Sequence, residues 1–180
     1  LAEGVHRVHE ELGVEDWTVK GLEFAAHDGR ALHGLGLQYA VAGRGADHMY
    51  ATMQSLEYRG TVDPEGTAGK AETVIEQENF AAFRDSAIVC AFSGSYIDES
   101  DFEALFDADY ADLLEVGAGV VERERHFHNR RGRAAEADRL PYDLPDLSAS
   151  IREYYDRRGY DTDGTVPDER IAASAVPADD

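Results

Sequence analysis

The sequence predicts an all-α domain, an irregular assembly of about six helices. Three observations carry this expectation. Apolar residues recur at helical spacing, as at Phe102, Leu105 and Phe106. Strand signals are sparse, with only the stretch 17–24 short and extended in character. Glycine and proline punctuate the chain between the periodic stretches.

In chain order, residues 2–12 read as the end of an amphipathic helix, broken at Gly13 and Asp16. In residues 30–42, Leu32, Leu35, Leu37, Tyr39 and Val41 interleave with glycine and alanine. That pattern suits a buried helix whose small residues let another backbone or a bulky ligand come close. Gly43-Arg44-Gly45 turns the chain, and a second helical piece is expected from Ala46. Gly60, Pro64, Gly66 and Gly69 mark residues 55–69 as a surface loop. Residues 70–83 suit a helix buried through Val74, Ile75, Phe80 and Phe83, followed directly by the segment 85–90. Ser100 or Asp101 can cap the next helix, with Phe102, Leu105 and Phe106 as its buried stripe. The longest helix is expected over 108–130, buried at Leu113, Leu114, Val116, Val120, Val121 and Phe127. Its arginine-rich end complements the helix dipole, and Gly132 stops it. Pro141 and Pro145 lie in a loop, residues 148–157 form a short helix, and Gly159 and Gly164 bound a turn. Pro167 fits the first turn of a last small helix ending near Ala173, and the tail 174–180 is expected to fray.

A chain of 180 residues fits one domain with a real core, or part of a larger protein. It begins at Leu1 in helix-like sequence and reads as cut from a longer polypeptide. No apolar run approaches the roughly 18 residues of a membrane span, so a soluble chain is expected. One cysteine excludes an internal disulfide framework and suits a reducing cytoplasm. Thirty-seven acidic residues face 17 basic ones, for a formal net charge of −20. Lys20 and Lys70 are the only lysines. Such a surface repels itself unless salt screens it, as a high-salt cytoplasm would. It also argues against nucleic acid as a partner, because phosphate neutralisation needs a basic face.

Two segments carry candidate chemistry. Cys90 ends Asp85-Ser86-Ala87-Ile88-Val89-Cys90, and a lone cysteine among apolar residues reads first as a small buried hydrophobe. In Arg44-Gly45-Ala46-Asp47-His48, the imidazole follows a tight turn at the expected start of a helix. There it is either an ordinary capping residue or a proton donor beside an anionic ligand. His6, His9 and Glu10 could share a helix face, the nearest approach to metal-ligand spacing, yet a solvated polar face explains them better. His126 and His128 point to different sides of a helix, and His27 and His33 have no partner at ligand spacing. No Walker-type loop, GxSxG or CxxC is present, and the chain alone holds no complete catalytic constellation.

Five segments, in order, together resemble the C-terminal region of the aldehyde:ferredoxin oxidoreductase family, the tungsten (or molybdenum) pyranopterin enzymes. They are Lys20-Gly21-Leu22-Glu23 with Asp28-Gly29-Arg30-Ala31; Gly36-Leu37-Gln38-Tyr39-Ala40 with Arg44-Gly45-Ala46-Asp47-His48; Asp85 to Cys90; Gly117 to Asn129; and Tyr154 to Tyr160 with Gly164-Thr165-Val166-Pro167. The resemblance implies that residues 1–28 end a middle domain and its connector, and that 29–173 form a C-terminal helical domain. It implies a bis-pyranopterin metal and a [4Fe–4S] cluster, with Cys90 as the fourth cluster thiolate beside three from the middle domain. Asp85 would hydrogen-bond a pterin, backbone near Val89 would line it, and Arg44 and Tyr50 would lie in the cofactor region. His48 would stand beside the metal as a donor to a metal–oxo group or to the substrate carbonyl. The implied reaction oxidises an aldehyde with water to a carboxylic acid and passes two electrons through the cluster to ferredoxin. The resemblance also leaves room for a homodimer. Several positions depart from the pattern: Asp28-Gly29-Arg30 lacks the family proline, Asp47 stands where cysteine is common, and Tyr50 where a basic residue assists the pterin. Gly117-Ala118-Gly119 departs from the usual Gly-Glu-Arg start of the long helix. On this reading Cys90 and His48 line one redox cavity, and apolar surface is exposed around 32–49 and 86–94 where other domains dock. The competing reading is a non-catalytic acidic helical scaffold or interaction module.

Overall fold

The computed structural model describes residues 4–93 and 96–173. The tail expected to fray therefore lies outside the described residues. These residues form α1 (Val5–Leu12), a hairpin of β1 (Thr18–Val19) and β2 (Leu22–Glu23), α2 (His33–Val41), α3 (Met53–Tyr58), α4 (Ala71–Ser86), α5 (Glu99–Phe106), α6 (Tyr110–Arg130), α7 (Leu147–Arg158) and α8 (Asp168–Ala173). The all-α expectation holds, with short α3 and α8 raising the helix number above about six.

α2 is the central element. Leu35, Leu37, Tyr39 and Ala40 have no exposed surface, and around them pack Val19, Met53, Val74, Tyr154, Tyr155 and Val166. A helix buried on all sides must satisfy its terminal backbone groups inside the protein. At the N-terminus of α2 the Gly34 and Leu35 N–H groups donate to the two oxygens of Glu57, at 2.7 and 3.0 Å. Lys70 Nζ lies 2.8 Å from the same carboxylate. At the C-terminus Lys20 Nζ donates to the Ala40 and Ala42 carbonyls at 2.9 and 2.6 Å. Lys20 also sits 2.7 Å from Asp138, which Arg125 reaches at 2.7 Å and the Tyr155 hydroxyl at 2.6 Å. Lys20, Arg125 and Tyr155, from three of the family-like segments, thus meet at one buried carboxylate.

α4 and α6 pack closely where α6 carries Gly117, because a Cβ there would collide with the Asn79 carbonyl. A second, smaller apolar cluster of Phe83, Phe102 and Leu113 lies at one end of this pair, with Val89 packed against it.

Several local expectations are corrected. No helix starts at Ala46: residues 43–52 are a run of turns, and the next helix, α3, begins at Met53 and runs to Tyr58, into the stretch 55–69 read as loop. α4 runs past Phe83 to Ser86, so Asp85 belongs to its last turn. α5 is capped by Asp98, whose side chain accepts the Asp101 N–H while Asp101 accepts the Asp98 N–H, a reciprocal capping box. Of its expected stripe only Phe102 is buried; Leu105 is largely exposed, and Phe106 stays partly exposed while its ring packs edge-on with that of Phe83, 5.7 Å between centres. On α6, Phe127 is exposed, whereas Glu122 and Arg125 are buried, the first paired with Arg170 and the second with Asp138. No helix among the described residues is long and apolar enough to cross a membrane.

Candidate functional site

The turn after α2 is built by short-range bonds and then clamped from outside. The Gly45 N–H donates to the Ala42 carbonyl at 3.1 Å, and Asp47 Oδ1 accepts the Met49 N–H at 2.9 Å. Gln38 spans the loop behind it, donating to the Asp47 carbonyl at 2.7 Å and accepting the Met53 N–H at 3.0 Å. This scaffold presents His48, half-buried, with its ring 5.0 Å from that of His27. The Tyr58 hydroxyl lies 3.5 Å from His27 Nδ1. His27 has no partner at ligand spacing in the sequence, so no local signal could have joined it to His48.

Arg44, Tyr50 and Asp85 come together. They line a cavity of about 220 Å³ between α4 and α6, with Glu78, Ser86, Val121 and Glu124. The Arg44 guanidinium stacks over the Tyr50 ring at 5.4 Å and pairs with Asp47 at 2.8 Å. Burial, then the nearby Glu124 carboxylate, holds the Tyr50 phenol well above its ordinary value, so it is a neutral donor. Its hydroxyl donates to Glu124 at 2.9 Å. Glu78 is fully buried and accepts from Tyr154 and Arg158, each at 2.7 Å, through Oε2. Its Oε1 is buried and has no hydrogen-bond partner among the described residues. Burial raises the Glu78 pKa, opposed by Arg158. Glu78 and Glu124 were not singled out from the sequence. The available signal was an acid, Glu78, four residues after Val74 on the buried stripe of α4.

Neither His48 nor Cys90 lines that cavity. Cys90 stands just beyond α4 and is exposed, which overturns the reading of a buried hydrophobe. Val89 is half-buried in the small apolar cluster, and the backbone reaches it through Ile88 at φ 58°, a left-handed conformation that is an outlier for a β-branched residue. Around the thiol, Ile88 is 93% exposed, Phe92 85% and Tyr96 87%. The apolar exposure expected near 86–94 is therefore present in the described part of that segment. That expected at 32–49 is not, because the leucines of α2 fill this chain's own core.

His6 and His9 hold Asp16, at 2.6 and 3.1 Å, and His9 also reaches Glu23 at 2.9 Å, tying α1 to the hairpin. Glu10 turns instead to Arg7, 3.4 Å away. Among the described residues, no three His, Cys, Asp or Glu side chains converge as metal ligands.

The family model for aldehyde ferredoxin oxidoreductase, domains 2 and 3, matches residues 1–173, and the chain belongs to this family. It is similar to the tungsten-containing aldehyde ferredoxin oxidoreductase of Pyrococcus furiosus, at 31% identity over 95% of this chain. The enzymes of the same name from Pyrococcus abyssi and Thermococcus kodakarensis are 29% identical over 95% and 94% of it. The chain spans 33% of the length of each of these relatives.

The residues present fit part of such a cofactor site. The cavity offers one guanidinium against the carboxylates of Glu78, Asp85 and Glu124, a set that suits the N–H edge of a heterocycle better than a phosphate. The orphaned Glu78 Oε1 is one acceptor such an edge could satisfy. An exposed thiol can serve as one cluster ligand, and a [4Fe–4S] cluster needs three more from elsewhere.

Proposed function

We propose that this chain is the C-terminal part of an enzyme oxidising aldehydes to carboxylic acids, with residues 1–28 as its link to a middle domain and 29–173 as its helical third domain. The observation that carries the proposal is the exposed thiol of Cys90, flanked by an apolar ridge of Ile88, Phe92 and Tyr96, which are left largely exposed among the described residues. A cysteine with only a packing role belongs inside. A ridge of this kind suits a docking surface, and the family membership supports a cluster-bearing domain as its cover.

In such an enzyme a bis-pyranopterin tungsten, when bound, would supply the two-electron oxidation of the aldehyde with water as oxygen source, giving a carboxylic acid, two protons and two electrons, and a [4Fe–4S] cluster would supply the exit for those electrons to ferredoxin. This chain's own residues do the rest on its side of the site. Cys90 contributes one thiolate to the cluster. Asp85, with its exposed carboxylate, accepts an N–H from a pterin, and the backbone near Val89 borders it. Arg44 and Tyr50 form the wall behind, held by Asp47 and Glu124. His48, with His27 beside it, holds or gives a proton at the substrate carbonyl. The net charge of −20, with both lysines buried in ion pairs, supports a high-salt cytoplasm as the setting.

The test is the longer polypeptide, expressed with tungsten and iron, carrying Cys90→Ala. The iron–sulfur absorption band should weaken and electron delivery to ferredoxin should fall. A band of unchanged intensity counts against the ligand assignment. His48→Asn should lower kcat with the band intact; full activity in that variant removes His48 from the chemistry.

A further inference from the structure

The chain has two lysines, and each pins one end of α2. Lys70 acts at the N-terminus of α2 through Glu57. Lys20 acts at the C-terminus, where a cation is favoured by the helix dipole. It donates directly to Ala42, whose carbonyl also accepts the Gly45 N–H that closes the turn leading to His48. One carbonyl therefore joins the ammonium to the turn.

Lys20 reaches this position at a backbone cost. It takes the first place of the two-residue hairpin turn between β1 and β2, with φ 52°, followed by Gly21 at φ 84°. Asparagine or aspartate is the usual residue in such a turn. Either would relax the backbone, but neither side chain is long enough to reach the end of α2. A strained residue whose side chain is also buried calls for a reason beyond the hairpin itself. Burial lowers the Lys20 pKa and the Asp138 carboxylate opposes that, so the ammonium is held in a confined, charge-balanced place. The same hairpin corner presses on the turn directly: a Cβ on Gly45 would collide with the Val19 carbonyl. Gln38 fixes the other side of the loop.

We infer that Lys20 is the positioning residue for His48: by locking the Ala42 carbonyl it sets the turn that holds the imidazole against His27. This deepens the proposed function and rests on it, because it gives His48 a working role. The alternative is that Lys20 serves only to neutralise Asp138, and Lys70 provides the control, being equally buried and ion-paired at the opposite end of the same helix.

The experiment uses the 180-residue chain and reads the imidazole resonances of His27 and His48 by NMR, with amide hydrogen exchange. Lys20→Met should displace or broaden the His48 signals and make the amides of 43–49 exchange about tenfold faster, through easier local opening. Lys70→Met should loosen the N-terminus of α2 and leave the His48 signals in place. His48 signals that stay put in Lys20→Met, or that move as much in Lys70→Met, overturn the inference. Should Lys20→Met fail to fold cooperatively, Lys20→Gln, which keeps a donor in the pocket but loses the charge and the reach, is judged by the same two outcomes. The readout needs no cofactor, so unmoved His48 signals overturn the positioning role alone. Full activity of His48→Asn in the longer enzyme overturns the function beneath it.

Discussion

α4 and α6 lie side by side and end in the same way, yet with opposite residues at the critical position. In α6 the Arg133 N–H returns to the His128 carbonyl at 3.1 Å, and Gly132 takes the left-handed place at φ 79°. α1 and α7 end on the same pattern with Gly13 and Gly159. In α4 the Val89 N–H returns to Arg84 at 3.0 Å, but Ile88 occupies the left-handed place. Glycine takes that conformation freely; a residue with a Cβ is destabilised there by about 1–2 kcal/mol. The isoleucine recovers nothing by packing, since its side chain is almost fully exposed. The strain falls two residues before the only thiol.

Set beside the His48 turn, the ridge at Cys90 shows a second mode of building. Around His48, buried polar groups do the holding: the charged Lys20, Glu57 and Lys70 satisfy the ends of α2, and the neutral amide of Gln38 fixes the loop that follows. Around Cys90, the left-handed Ile88 and the exposed Ile88, Phe92 and Tyr96 side chains find no compensating packing among the described residues. The first region is complete in itself, and the second has the character of half an interface.

Three predictions break or sharpen this comparison. The largest effect belongs to Glu57→Ala, which removes the partner of Lys70 and two N-terminal bonds of α2 together. Leaving a buried cation unpaired should destabilise the chain by about 3–5 kcal/mol, measured by urea unfolding. A loss under about 1 kcal/mol would mean that α2 is not held by its ends. Next, Ile88→Gly should stabilise the isolated chain by about 1 kcal/mol, raising its thermal midpoint. An unchanged or lower midpoint removes the strain from the account of the ridge. The smallest effect concerns the His9–Asp16–Glu23 clasp that anchors the hairpin bearing Lys20. Hydrogen bonds to Asp16 and Glu23 raise His9 above its ordinary 6.5, and those from His9 and His6 hold Asp16 below its ordinary 3.8 against the opposing effect of burial. The stabilisation from His9 is full below 6.5 and fades as pH rises through its raised value, whereas that from Asp16 is present above 3.8 and fades as pH falls through its lowered value. The stability difference between the natural chain and His9→Gln should therefore be greatest between these limits and shrink on both sides. A flat difference across that range would show that the clasp does not titrate with folding.

Local sequence pattern was enough to give the all-α class and the positions of the long helices to within a few residues, though not α3, which runs into the stretch read as loop. These follow from short-range physics: apolar spacing, glycine and proline, and capping residues act within a few positions of themselves. Gly132 is an example, read correctly as the stop of the long helix. The five family-like segments were legible too, but much of their content proved structural, since Lys20, Arg125 and Tyr155 converge on Asp138 in the core. What the tertiary structure alone decided is which face of each element finds a cover. Phe127 and Arg125 sit two residues apart on α6, and hydropathy would bury the first and expose the second. The fold does the reverse, because Asp138 waits on one side of the helix, while on the other Phe127 borders an open cavity with Ile171 and is left 56% exposed. The pairing of His27 with His48, and the place of Glu78 beside Asp85 in the lining of one cavity, were hidden for the same reason. Burial depends on what arrives from elsewhere in the chain, and no local pattern encodes it.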